Sequence, residues 1–275
     1  MALLELNERG LYCSQGDFYI DPWLPVSKAV ITHAHSDHAR WGMGVYLCTE
    51  SSAPLLKSRL GVDIRIESLA YYQEISINGV KLSFYPAGHV LGSAQIRLEY
   101  KGEVWVASGD YKNGTDHTCK EFEPVKCNTF ITESTFGLPV YQWQNQNIIF
   151  DDMNAWIQNN ISLKRSSLIM AYSLGKAQRI LSGIEDHGVS IFVHGSVFNI
   201  SEIYKDQGVL LPSYHRASEE LELKKSIIVA PPSVEGSAWL KKFGDISTAF
   251  ASGWMNIRGN RRRRALDKGI VLSDH

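Results

Sequence analysis

Six residues, His33-Ala34-His35-Ser36-Asp37-His38, carry three imidazoles and one carboxylate. So many metal-ligand side chains on one short turn would crowd and desolvate one another unless a cation lay between them. Imidazole and carboxylate together suit zinc, and equally manganese or iron. His33 and His35, two positions apart, can point the same way off an extended chain. Asp37 and His38 lie beyond the turn and can point to a neighbouring position. The spacing therefore suggests two metal ions rather than one.

Something must hold this turn in place. The apolar run Ala29-Val30-Ile31 reads as a buried strand, so the histidines leave a strand end and enter a loop. The same arrangement recurs along the chain. Phe18-Tyr19-Ile20 ends at Asp21-Pro22, where Asp21 is placed to hydrogen-bond the metal loop. Val45 to Thr49 reads as a strand. A helix follows over Glu50 to Leu60, with Pro54 in its first turn and Gly61 as its stop. Asn78-Gly79 and Lys101-Gly102 each divide two runs that read as strands and predict hairpins. The second strand of the first hairpin runs into Gly88-His89, and that of the second into Gly109-Asp110. Thr129 to Thr132 leads in the same way to Glu133.

The texture changes near Leu138. Apolar residues take helical spacing over 148–162. Strands at 167–171, 189–193, 226–229 and 247–251 then alternate with helices at 176–187, 197–206 and 234–242. Such β/α alternation implies a parallel sheet covered by helices. The expected division is a first domain over 1–137, an inserted α/β domain over 138–252, and a return over 253–275. The return closes on Ile270-Val271-Leu272-Ser273-Asp274-His275, one more strand that ends in an acid and an imidazole.

The net charge of −1 over 275 residues gives no global attraction to a polyanion. Any such binding must come from metals or from a local patch. The dense basic run is Arg258 with Arg261, Arg262, Arg263, Arg264 and Lys268, read as phosphate clamps. Lys176, opening a helix after Ser173-Leu174-Gly175, and His194 are further candidate substrate contacts. The spacing around Lys176 is not that of a nucleoside triphosphate loop. Ser173 and Ser196 have no base partnered to them in sequence, so nucleophilic catalysis is set aside. Trp143, Trp156, Trp239 and Trp254 read as core rather than as base-stacking residues. Four cysteines without a CxxC pair read as free thiols in a reducing cytoplasm. No apolar run approaches the length of a membrane span.

These motifs together resemble a known family. His33 to His38 matches the HxHxDH signature of the metallo-β-lactamase fold. His89, Asp110, Glu133 and Asp274-His275 follow in the order used by its β-CASP nucleases. The phrases HAHSDHARWG, AGHVLGSAQ, SGDY, ESTFG, AYSLGKAQ and ASGWM resemble the bacterial exonucleases associated with DNA ligase, and more distantly RNA 3′-end processing nucleases. The resemblance implies an αββα sandwich with an inserted β-CASP domain. It implies two divalent ions, zinc or manganese: one on His33, His35 and His89, the other on Asp37, His38 and His275. Asp110 would bridge them, Asp21 would support, and Asp37, Asp110 and Glu133 are the candidate catalytic carboxylates. DNA is the implied substrate, in a repair setting with a ligase and a helicase as associates.

Three alternatives stay open: an RNA-processing nuclease, a hydrolase of small thioesters or lactams, and a nucleic-acid-binding relative that does not cleave. Many β-CASP enzymes carry a histidine some twenty residues before the last ligand, where it acts as general acid. Here that region holds the arginines, and His194 is one substitute. Relatives also continue beyond the position of His275, so this chain reads as a truncated form.

Overall fold

A computed structural model describes residues 2–217, 225–257 and 266–275. It divides into two units, one running to Thr135 and including His275, the other Phe136–Asp274.

The first unit holds two sheets. One takes its strands in sequence order: β1 (Glu5–Asn7), β2 (Gly10–Cys13), β3 (Phe18–Ile20), β4 (Lys28–Val30), β5 (Val45–Thr49) and β6 (Ile66–Leu69). The pairs β1–β2 and β2–β3 are antiparallel and the rest parallel. The crossover from β5 to β6 is α1 (Ala53–Leu60), which Pro54 opens and Gly61 closes at φ +100. The other sheet runs β11-β10-β9-β8-β7, built from β7 (Ile75–Ile77), β8 (Val80–Pro86), β9 (Ala94–Tyr100), β10 (Glu103–Ala107) and β11 (Thr129–Ile131).

Both hairpins form where their turn dipeptides stand. Asn78 and Gly79 have φ of +50 and +83, Lys101 and Gly102 of +50 and +84. Two successive positive φ values give the turn whose twist matches the strands. Phe18, Val30 and Leu47 of one sheet pack with Leu82, Phe84, Ile96 and Leu98 of the other in a single core. The side chains that could do chemistry lie beyond the ends of β4, β8, β10 and β11.

The second unit is a parallel six-stranded sheet of order β14-β13-β15-β12-β16-β17. Its strands are β12 (Ser166–Met170), β13 (Ile191–Val193), β14 (His215–Arg216), β15 (Ile227–Ala230), β16 (Ile246–Ala251) and β17 (Lys268–Ile270). Strand alternation divides the core between two faces. Ile169, Val193, Val229 and Ala249 face Met153, Ile157, Ile180 and Val197 from α2 (Gln146–Ser162), α3 (Lys176–Ser182) and α4 (Gly195–Asp206). Leu168, Met170, Phe192, Ile228 and Phe250 pack on Val234, Phe243 and Met255.

Three expectations are corrected. The helix over 234–242 is instead two 3-10 turns, Pro232–Val234 and Ala238–Phe243. Gly236, at φ +73, breaks the run between them. The helix from Lys176 stops at Ser182, well before His187, where Gly183 meets the Phe150 ring; a β-carbon there would lie 2.7 Å from it. The first boundary falls after Thr135, and residues 253–274 stay with the second unit instead of returning. The reason is β17, which pairs in parallel with β16 while Asp267 accepts the Thr248 backbone N–H at 2.8 Å. Only His275 is grouped with the first unit. No described helix is long and apolar enough to cross a membrane.

Candidate metal centre

Asp21 organises the loop beyond β4. It holds φ +42, a conformation Asp tolerates better than most residues. Its Oδ1 accepts the Thr32 backbone N–H at 2.8 Å, and its Oδ2 accepts the Thr32 hydroxyl at 2.5 Å. The Thr32 hydroxyl has then given its proton away, so it accepts from His33 Nδ1, 3.1 Å distant. That fixes the His33 tautomer and leaves Nε2 with a bare lone pair. Arg59, from α1, donates to the Ala34 carbonyl at 2.5 Å, between the two histidines of the turn. Gly88 and Gly109 allow close approach. A β-carbon on Gly109 would stand 2.5 Å from Thr32 Cβ, and one on Gly88 2.4 Å from the Lys112 carbonyl oxygen. Ser93 Oγ accepts the His89 backbone N–H at 3.1 Å.

The result is a convergence of donor atoms. His33 Nε2 and His89 Nε2 lie 3.0 and 3.1 Å from His35 Nδ1, and each lies 3.7 Å from Asp110 Oδ2. One donor atom from each of these four residues falls within 4.8 Å of the others. Around a tetrahedral zinc with Zn–N of about 2.0–2.1 Å, neighbouring donors stand roughly 3.3–3.4 Å apart. The observed spacings bracket that value, so the four residues fit a divalent ion. His33 is wholly buried. Burial, then the neighbouring imidazoles, push its pKa well down, so it is the neutral ring a metal requires.

Asp110 turns its other oxygen the opposite way: Oδ1 lies 3.3 Å from His38 Nε2, which is 3.9 Å from Asp37 Oδ2. Two of the expected ligands of a second ion thus flank the expected bridge, with Asp37 at the exposed rim, its side chain 71% accessible. Burial opposes charge on His38, but Asp21, 2.7 Å from Nδ1, and Asp110 outweigh it and raise the pKa to about 11. Burial likewise opposes charge on Asp110, and His38 overcomes it, holding the carboxyl at about 2.

His275 is engaged differently. Its Nδ1 lies 2.6 Å from Glu133 Oε1, an oxygen that also accepts the Tyr111 N–H at 3.3 Å. Glu133 Oε2 accepts the Thr135 N–H at 2.9 Å. These bonds overcome the burial that opposes its charge and lower the Glu133 pKa to about 2. A carboxylate so strongly ionised carries no proton at neutral pH. Its visible work is to orient His275. One donor each of Asp110, Glu133 and His275 also falls within 4.8 Å of the others.

The remaining expected contacts belong to the second unit. Lys176 is buried in the second unit. Its Nζ lies 2.7 Å from Asp274 Oδ2 and donates to the Leu272 carbonyl at 3.0 Å. It is therefore a structural cation rather than a substrate contact. Arg179, also buried, reaches Asp274 Oδ1 at 3.2 Å and the Ser273 carbonyl. His194 caps α4: its Nδ1 accepts the Ser196 N–H at 3.2 Å, which satisfies a structural role. Arg258, Arg261 and Arg262 lie outside the described residues. Composition and spacing missed Arg59 and Thr32, whose roles depend on contacts that only the fold creates.

No model of a known protein family matches the chain. It is 28% identical over 272 residues to a probable DNA ligase of Opitutus terrae, covering 97% of this chain and 26% of that protein. It is 28% identical over 209 residues to an RNase J-like protein of Methanocaldococcus jannaschii, covering 65% and 50%. It is 27% identical over 161 residues to cleavage and polyadenylation specificity factor 73 of Drosophila melanogaster, covering 56% and 23%. The chain thus spans half or less of the length of these relatives. A solved structure, a protein of unknown function from Enterococcus faecalis, shares the fold with a TM-score of 0.56 at 10% identity, covering 90% of this chain and 70% of that one. The chain resembles the β-CASP nucleases of the metallo-β-lactamase fold.

Proposed function

We propose that this chain is a metal-dependent nuclease that hydrolyses phosphodiester bonds, built as a metallo-β-lactamase unit followed by a β-CASP unit. The observation that carries the reading is the split of Asp110, one oxygen toward His33 and His89, the other toward His38. His33, His35, His89 and Asp110 would hold one ion, and Asp110, His38 and Asp37 would contribute to the second. Ions held there would supply a hydroxide nucleophile near neutral pH and neutralise charge growing on the phosphoryl oxygens.

The chain's own residues do the rest. Asp21 fixes the ring of His38, and through Thr32 that of His33. Glu133 holds His275 by Nδ1, so the chemistry of that ring falls to Nε2. A carboxylate behind an imidazole orients the ring and raises its basicity as a ligand. We therefore keep His275, with Asp110 beside it, in its expected role as a ligand of the second ion. In His275→Gln, one of the two ions should be lost on dialysis and cleavage should fall by about 10–100-fold. Retention of both ions would argue against the ligand role.

DNA is the first substrate to test, because the relative named as a ligase matches over nearly the whole chain while those named for RNA match over about half to two-thirds. The deciding measurement is cleavage of end-labelled single-stranded DNA and RNA with zinc or manganese, by this protein and by His35→Ala. Metal-dependent cleavage that the variant loses is the expected result. Thioester turnover without strand cleavage would favour a small-molecule hydrolase instead, and salt-sensitive binding without cleavage a non-cleaving relative.

A further inference from the structure

Two tryptophans read from sequence as core lie at the surface of the second unit. Trp143 and Trp254 are 38% and 43% exposed. Among the described residues, neither is named in the two clusters that fill that unit's core. They pack instead into a cluster with Phe136 and Tyr141. Phe136 is central, with ring centroids 4.8 Å from Tyr141, 5.0 Å from Trp143 and 4.9 Å from Trp254. Tyr141 and Trp143 lie nearly parallel, at 29° and 5.9 Å.

The cluster is held firmly. Buried Gly253 lets Phe136 lie against the backbone; a β-carbon there would stand 2.6 Å from Phe136 Cζ and 3.2 Å from Trp143 Cη2. Asn256 Nδ2 donates to the carbonyls of Val140 at 3.3 Å and Gln142 at 3.4 Å, tying the turn that carries Trp254 to the loop that carries Trp143. Leu138 and Val140 beside them are 65% and 62% exposed. A rigid exposed aromatic surface of this kind marks a binding site more often than chance.

The flanking sequence selects the partner. Residues 136–150 carry no charged side chain, and the stretch of sequence that follows Trp254 carries Arg258 and Arg261 to Arg264 with no acid before Asp267. A polyanion with flat apolar faces matches both features. We propose that Trp143 and Trp254, backed by Phe136 and Tyr141, form a platform on which unpaired bases of a single strand stack. This rests on the nuclease reading for its substrate class and goes beyond it by requiring unpaired bases. Stacking on aromatic rings tolerates any base, because every base has a π-face.

The test uses the full metal-loaded protein with phosphorothioate 12-mers that resist hydrolysis. One is oligothymidylate; the other is an abasic strand of equal charge. Tryptophan fluorescence and anisotropy are read together. Oligothymidylate should quench fluorescence and bind on the order of ten-fold more weakly to Trp254→Ala, and again to Trp143→Ala. Affinity for the abasic strand should stay unchanged, and Trp→Phe variants should recover most of the loss. Equal losses on both strands, or no loss on either, would overturn the platform. Cleavage by wild-type protein is scored separately. Stacking without cleavage in any metal leaves the platform standing and defeats the nuclease reading; cleavage indifferent to both tryptophans does the reverse.

Discussion

Asp21 and Asp110 raise the His38 pKa to about 11 against the pull of burial. A metal that takes Nε2 must first expel the ring's proton. Zinc titrated calorimetrically at neutral pH in buffers of different ionisation enthalpy should therefore show net proton release, and affinity should rise with pH. The stability consequence has a definite sign. A raised histidine pKa contributes stability below about 6.5 that is lost as pH climbs through about 11. Asp110 and Glu133, both lowered to about 2, contribute stability above about 4 that is lost as pH falls toward about 2. Asp21→Asn keeps a residue tolerant of positive φ but removes the charge behind His38. Metal affinity should drop about 10–100-fold with the circular dichroism spectrum unchanged. Thiols give an independent check. Cys13 and Cys48 are fully buried, and burial pushes Cys48 to about 12, so in the native protein only Cys119 and Cys127 should react with iodoacetamide. The histidines were legible in the sequence because metal chemistry demands those residue types so close together. The Glu133–His275 bond was not, because 142 positions separate its partners.

At the scale of elements, α1 does more than cross between β5 and β6. Its last turn aims Arg59 at the Ala34 carbonyl, and its guanidinium also lies near Asp37. Arg59→Ala should weaken metal binding about ten-fold, read as metal retained after dialysis against chelator, with little change in thermal midpoint. Gly109→Ala should behave differently. It forces a β-carbon against Thr32 at a φ of +55, and should destabilise the protein by about 1–3 kcal/mol in urea titration. Strands were read within a residue or two where turn dipeptides marked them: Asn78-Gly79 and Lys101-Gly102 fixed both hairpins, whereas the strand expected to run on from Ile270 ends there instead. The 3-10 turns around Gly236 were misread as a helix because their apolar spacing continues across a glycine that the backbone cannot pass in helical form. Arg59 carried no signal, since nothing local distinguishes it from a solvated helix-end cation.

Across the whole molecule, the informative error is Lys176. Ahead of a helix and after glycine, it has the sequence appearance of a phosphate contact. In the fold it is buried with Arg179 against Asp274, nearly a hundred positions away. A single sequence does not show which cation a distant acid will claim. Removing the acid leaves two buried cations without it, so Asp274→Ala should cost about 3–5 kcal/mol by chemical denaturation. Asp274 is also the final residue of a unit that runs without interruption from Phe136. Such a stretch can be transplanted between proteins as a cassette by recombination at two points, without cutting a strand. The triad sets where the second crossover must fall. A fragment of residues 136–274 should unfold cooperatively by itself. A fragment ending at 273 would carry the same sheet and helices without the Asp274 carboxylate that Lys176 and Arg179 share, and should be less stable than 136–274 in the same titration.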